Sequence, residues 1–333
     1  MAEAERLTGL CRIRSLSEFA RTVFPGSESQ EVLDFQRLSV YELTRELSGF
    51  LAHMSGPGAG LLDWALVRLQ VENLKVLIRV CLTKSPITDP QKYLVLLPKE
   101  LVLDIQGLTA AESLDDFVRL VPKGLLRESL EEAIEIYRDH PRPFFFEAAL
   151  DHAYFQELLA RVEGVSQEDR EIIKPMVCQE VDIFHLMLVI RGRFHYGLTP
   201  ETLLPLHITG TRIPRALFAE MLNDQDLYSS VGRAAGRVFD AAPFERGSSN
   251  GSAATTVDGG AFEGLAWKRY LRLANLAFRQ SHMGLGAVVG YAGIRRVEVA
   301  NLITISEGIR KGIAAETIRA RLITYTDEEA AHV

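Results

Sequence analysis

Residues 180–197 read Glu180-Val-Asp-Ile-Phe-His185-Leu-Met-Leu-Val-Ile-Arg-Gly-Arg-Phe-His-Tyr-Gly197, a buried helix running into a charged and aromatic end. The stretch has two echoes. Upstream stands Leu69-Gln-Val-Glu-Asn73-Leu-Lys-Val-Leu-Ile-Arg79, and downstream Val297-Glu-Val-Ala-Asn301-Leu-Ile-Thr-Ile-Ser-Glu307. With the three aligned on Asn73, His185 and Asn301, each anchor is followed by a leucine. Four residues before the anchors come Leu69, Val181 and Val297, and four after come Leu77, Val189 and Ile305. Positions i−4, i and i+4 share one face of a helix. Each copy therefore sets a polar side chain in the middle of an apolar stripe.

The anchors are evenly spaced, 112 residues from 73 to 185 and 116 from 185 to 301. Self-similarity at a fixed period ranks above any single-residue motif, and this period corresponds to one small domain used three times. The echo runs past the helix, since Gly197-Leu-Thr-Pro-Glu-Thr-Leu-Leu resembles Gly312-Ile-Ala-Ala-Glu-Thr-Ile-Arg. The competing explanation is chance likeness between amphipathic helices. Triplication predicts three helical repeat domains over 1–112, 113–226 and 227–333.

A chain of 333 residues, 47% hydrophobic and 24% charged, has the composition of a globular protein with a large core. Cys11, Cys81 and Cys178 lie far apart without metal-ligand spacing, which predicts reduced thiols in the cytosol. The start, Met-Ala-Glu-Ala-Glu-Arg, lacks the pattern of a signal peptide, and no apolar stretch approaches the roughly 20 residues of a membrane span. The net charge of −7 argues against general nucleic-acid binding. It is unevenly spread: Lys268 to Arg321 carries ten basic residues against three acidic ones, a net of +7. That is either an ordinary solvated helix face or a basic end suited to an acidic partner or lipid headgroups. Arg295, Arg296, Arg310 and Lys311 are the partner-contact candidates in it.

Along the chain, helical periodicity runs through residues 1–55, broken by Pro25-Gly-Ser-Glu-Ser with Ser27 or Ser29 as caps. Pro57-Gly-Ala-Gly breaks the pattern before a long helix over 61–82, supported by the i, i+4 pair Arg68–Glu72. A shorter apolar element starts at Tyr93, and an acidic helical run covers 111–137 until His140-Pro-Arg-Pro143. Phe144 to Val162 is helical, and Ser166 with Asp169 forms a capping box for the next helix. Short helices follow near Glu201, 214–222 and 225–239. The segment 246–260, rich in Gly and Ser, has the composition of a flexible loop. Helix resumes over 262–279, and the end from Thr326 reads as loose. No period-two alternation occurs, so the predicted class is all-α.

The chain carries no phosphate-binding loop, His-Glu-x-x-His or Gly-x-Ser-x-Gly. Gly284-Leu-Gly286 lacks both the third glycine and a preceding strand of a dinucleotide fingerprint, and suits helix packing around small residues. His185 and His195, ten apart, fall on different helix faces. No catalytic residue, cofactor or metal is expected. A buried Asn or His must be hydrogen-bonded, so Asn73, His185 and Asn301 are read as structural anchors that bond the backbone of a neighbouring helix end or loop. Arg79 and Arg191, six residues after their anchors, are placed to tie helix ends to acidic neighbours.

Glu180-x-Asp182…His185-Leu…Ile190-Arg191-x-Arg193 resembles the central motif of the C subunit of archaeal and bacterial V/A-type ATPases, which corresponds to the d subunit of the eukaryotic vacuolar enzyme. The segment Tyr291-Ala-Gly-Ile-Arg-Arg-Val-Glu298-Val-Ala-Asn301-Leu…Glu307-Gly-Ile-Arg-Lys-Gly-Ile-Ala-Ala-Glu316-Thr-Ile-Arg is closer still, and Asp151-x-x-Tyr154-Phe155-x-x-Leu158-Leu159 is similar to the element before the middle motif. The likeness covers nearly the whole chain and is weakest over the first 55 residues. Departures are His185 for the usual Asn, Arg193 for Lys, and the insert after Arg246. The resemblance implies an all-helical funnel of three pseudo-equivalent domains, without an active site. It implies a central-stalk socket between the shaft subunits (D/F type) and the membrane proteolipid c-ring, cytoplasmic and peripheral to the membrane. Without the resemblance, an all-α scaffold or helical-repeat module with soluble partners is the rival. The sequence leaves open H⁺ against Na⁺ and synthesis against hydrolysis.

Overall fold

In a computed structural model, the regular backbone among the described residues is helical throughout, with no strand. The described residues are 2–26, 31–83, 90–138, 142–240, 259–281 and 283–324. The chain starts with α1 (Ala2–Leu10), α2 (Leu16–Val23), α3 (Val32–Leu51) and α4 (Gly56–Thr83). Three short helices follow, α5 (Ile105–Ala110), α6 (Leu114–Leu120) and α7 (Leu125–Tyr137). The long pair α8 (Pro143–Glu163) and α9 (Gln167–Met187) comes next, and α9 passes into a π-helical segment, Leu188–His195. Then come α10 (Pro200–Leu203), α11 (Arg215–Asn223), α12 (Leu227–Val238), α13 (Gly259–Gln280), α14 (Leu285–Arg310) and α15 (Ala315–Ala320).

Several boundaries differ from the sequence reading, for local reasons. Pro57-Gly-Ala-Gly does not precede the helix; it forms the first turn of α4, where a proline loses no hydrogen bond. The acidic run 111–137 is two helices, because Val121-Pro122 and Gly124 (φ 141°) divide α6 from α7. The cap before α3 is Glu31, without a side-chain bond; Ser27 and Ser29 lie outside the described residues. So do His140, the loop 246–258 and the segment from Thr326, whereas Gly259 and Gly260 belong to α13. Ser166 does cap α9, accepting from the Asp169 amide at 3.2 Å and donating to its carboxylate at 2.7 Å.

One continuous apolar core extends from Leu61 in α4 to Val297 in α14. A second cluster joins the two ends of the chain, with Leu7, Leu10, Phe19 and Phe35 against Leu302, Ile305, Ile318 and Leu322. The first helices thus pack on the last. Helices α13 and α14 lie against each other at backbone distance: a methyl group added at Gly290 would sit 2.5 Å from the Phe278 amide nitrogen and 2.6 Å from the Ala274 carbonyl oxygen. That contact explains the small-residue run after Gly284.

The two glycines of the sequence echo have the same backbone role. Gly197 (φ 66°) and Gly312 (φ 64°) end their helices in the left-handed region, which glycine enters without a Cβ clash. At the second, the Ile313 amide bonds back to the Gly308 carbonyl at 2.9 Å, closing the helix end.

Candidate functional site: a cleft lined by paired charges

Each anchor side chain reaches forward to a backbone segment 22 or 23 residues on. The Asn73 amide accepts from the Val95 N–H at 2.8 Å and donates to its carbonyl at 2.9 Å. Asn301 does the same to Ile323, at 2.8 and 2.9 Å. A primary amide matches the donor and acceptor of one residue's backbone, so one side chain pins one returning segment twice. His185 has one such bond, with its Nε2 accepting from the Ile208 N–H at 3.0 Å. Three residues earlier, Asp182 accepts from the Arg212 and Ile213 amides at 3.2 and 3.1 Å. All four side chains are buried.

Beside the anchors, α4, α8, α9, the π-helical segment, α13 and α14 enclose a cleft of about 730 Å³. Among the described residues, six cationic and five anionic side chains line it. Their pairing runs between helices. Arg68 and Lys75 of α4 each hold Asp151 of α8 at 2.6 Å, and both also contact Glu72. Arg79 forms a two-pronged pair with Glu147 of α8. Arg296 of α14 clamps Glu180 of α9 at 2.7 and 3.0 Å and reaches the Tyr270 hydroxyl at 3.4 Å. Arg191 approaches Glu263 of α13 at 3.6 Å.

The electrostatics follow from burial inside this network. Burial alone would raise the Glu72 carboxyl, but Arg68 and Lys75 outweigh it and leave Glu72 below its ordinary value. Burial works against the charge on Arg296, and Glu180 more than restores it. Tyr154 and Tyr270, fully buried behind the pairs, are pushed above the usual phenol range by burial. Cations also sit over aromatic faces, Arg68 over Tyr154 and Phe155 and Arg296 over Trp267. Among the described residues, every carboxylate in the wall has a cation against it. Such a cleft can hold a partner by shape and charge, and its acids are engaged in structure.

The four basic contact candidates divide into two kinds. Arg296 faces the cleft as described. Arg295 grips Glu46 of α3 with two bonds of 3.0 Å, contacts Glu298, and shares Glu46 with the Tyr291 hydroxyl. These two arginines tie helices together inside the chain, and both remain partly exposed. Arg310 and Lys311 are exposed at the end of α14, with Arg310 bonded to Glu307 one turn back. The pairing of Lys75 with Asp151 and of Glu180 with Arg296 was not read from the sequence, although Asp151 and Glu180 stand in the motifs that carry the resemblance. A lysine two residues after Asn73, on a helix buried on several sides, was the available signal.

The sequence profile described as ATP synthase (C/AC39) subunit matches residues 13–321. The chain belongs to this family. It is 24% identical to the C subunit of the A-type ATP synthase of Methanothermobacter thermautotrophicus over 308 residues, 90% of this chain and 75% of that protein. It is 22% identical to the protein of the same name from Methanosphaera stadtmanae over 265 residues, 78% of this chain and 67% of that one. Family membership accords with the all-helical architecture. Among the described residues, no helix is long and apolar enough to cross a membrane, and no group of three or more His, Cys, Asp or Glu side chains is placed to hold a metal.

Proposed function

We propose that the chain is a non-catalytic central-stalk component of a V/A-type rotary ATPase, a socket that joins shaft subunits of the D/F type to the membrane proteolipid c-ring. In this reading it works at the cytoplasmic face of the membrane, folded as a funnel of three pseudo-equivalent domains over 1–112, 113–226 and 227–333. The observation that carries it is the central cleft. Helices from all three segments meet there, cross-linked by buried or half-buried charge pairs that resist shear between them. A part that transmits torque must be stiff where its partner seats, and paired charges between helices supply that stiffness. Support for the threefold repeat comes from the anchors, whose bonds to Val95, Ile208 and Ile323 span 22 or 23 residues in every copy. The cleft is proposed to receive the shaft, and the exposed Arg310 and Lys311 to serve a separate acidic or headgroup-facing contact.

A photo-crosslinking residue placed at Tyr196, half-exposed on the cleft wall, tests the assignment in the assembled complex. A crosslink to a shaft subunit is the expected product. Crosslinks to soluble proteins outside the ATPase alone would favour the rival reading, an all-α scaffold.

A further inference from the structure

The middle anchor differs from the other two in chemistry as well as identity. A backbone N–H can only donate, so the Ile208 bond at 3.0 Å requires a bare lone pair on His185 Nε2. The neutral ring then carries its proton on Nδ1, which is buried without a hydrogen-bond partner, 3.7 Å from Asp182 Oδ1. The His207 ring stacks on His185 with centroids 4.7 Å apart and an angle of 10°. His207 Nε2 lies 2.9 Å from the Ile213 carbonyl, to which it donates, and its buried Nδ1 also has no partner. Phe218 of α11 closes the stack at 5.3 Å from His185, an uncharged neighbour. From α8, His152 adds a third imidazole to the local field.

We propose that neutral His185, stacked on His207, bolts residues 207–213 to α9, so that acid releases this segment while the two asparagine-anchored segments stay in place. A proton on His185 Nε2 would point at the Ile208 N–H, converting the bond into a donor–donor clash. The carboxylate at the pair is Asp182, and it already accepts two backbone amides. Asn73 and Asn301 do not titrate, and their segments have no such weakness. The released segment forms one wall of a second cleft of about 510 Å³, with His152 and Lys174 opposite.

The sign follows from burial, which holds His185 and His152 below the ordinary imidazole range, with Asp182 opposing it at His185. The open segment therefore binds protons more readily than the closed one. Closure is fully favoured above about pH 6.5 and weakens as the pH falls through that value.

Hydrogen exchange read by mass spectrometry on the full chain, from pH 7.5 to 5.5 and corrected for intrinsic exchange, tests this directly. Opening of peptides over 207–213 should rise up to about tenfold per pH unit below pH 6.5 for each histidine protonated only when open. Peptides holding Val95 and Ile323 serve as internal controls and should show no such slope. His185→Asn, with control peptides unchanged, should lower the slope by the share of one proton. An equal slope in all three segments, or an undiminished slope in His185→Asn, would overturn the proposal.

Discussion

Asn73→Ala is the perturbation whose cost the structure defines best. The substitution removes two hydrogen bonds, of 2.8 and 2.9 Å, and strands the donor and acceptor of Val95. Each such bond contributes about 1 kcal/mol net, and a stranded buried group costs about 1–3 kcal/mol. Val95 is half-buried, so water partly rescues its backbone groups and the lower end applies. Alanine returns roughly 0.5 kcal/mol of helix propensity. The expected loss is about 2–3 kcal/mol, measured as a lowered urea midpoint at unchanged slope, with faster exchange of the Val95 amide. Asn301→Ala should match it, through Ile323. A loss below about 0.5 kcal/mol with unaltered Val95 protection would refute the two-bond anchor.

Gly290→Ala should destabilise by about 1–3 kcal/mol or more, read by thermal unfolding, because the added methyl meets backbone atoms of α13 that cannot rotate away. Glu180→Gln and Arg296→Met should each cost about 1–3 kcal/mol, discounted from the fully buried case because Arg296 retains contact with the cleft. The double variant should cost less than their sum, and strict additivity would mean that the pair is not coupled. Arg310→Glu with Lys311→Glu should cost about 1 kcal/mol, since it replaces the bonds to Glu307 by like charges at a helix C-terminus, yet leave the chain folded and weaken membrane-fraction attachment in a salt-dependent way. Charge reversal at Arg295 and Arg296 would instead disrupt the fold, setting new carboxylates against Glu46, Glu298 and Glu180.

What the sequence disclosed depended on how local the cause was. The long helices α4, α8, α9 and α14 were legible because their apolar period is sustained over many turns. Asn73, His185 and Asn301 stood out because each interrupts such a stripe, and a buried amide has to find a partner. Their partners, 22 or 23 residues away, were invisible, since nothing in the local pattern marks Val95 or Ile323 as a bonded residue. The charged cleft was hidden for the same reason: the partners of Lys75, Asp151 and Glu180 come from other helices and meet them only where α4, α8, α9 and α14 converge. The ties made by Arg295 and Arg296 were hidden too, because adjacent basic residues look alike in sequence, whereas the helix turns one toward Glu46 and the other toward Glu180. The π-helical segment after Met187 left no signature beyond Gly192, whose missing side chain admits Leu203 and Phe144.

The central claim is that this chain joins a shaft to a membrane ring, and affinity recovery of the tagged full chain from gently solubilised membranes of its source tests it most directly. The account predicts that mass spectrometry finds the proteolipid ring and the shaft subunits together in the eluate. Recovery of soluble proteins alone, with the ring demonstrably present in the extract, would contradict it.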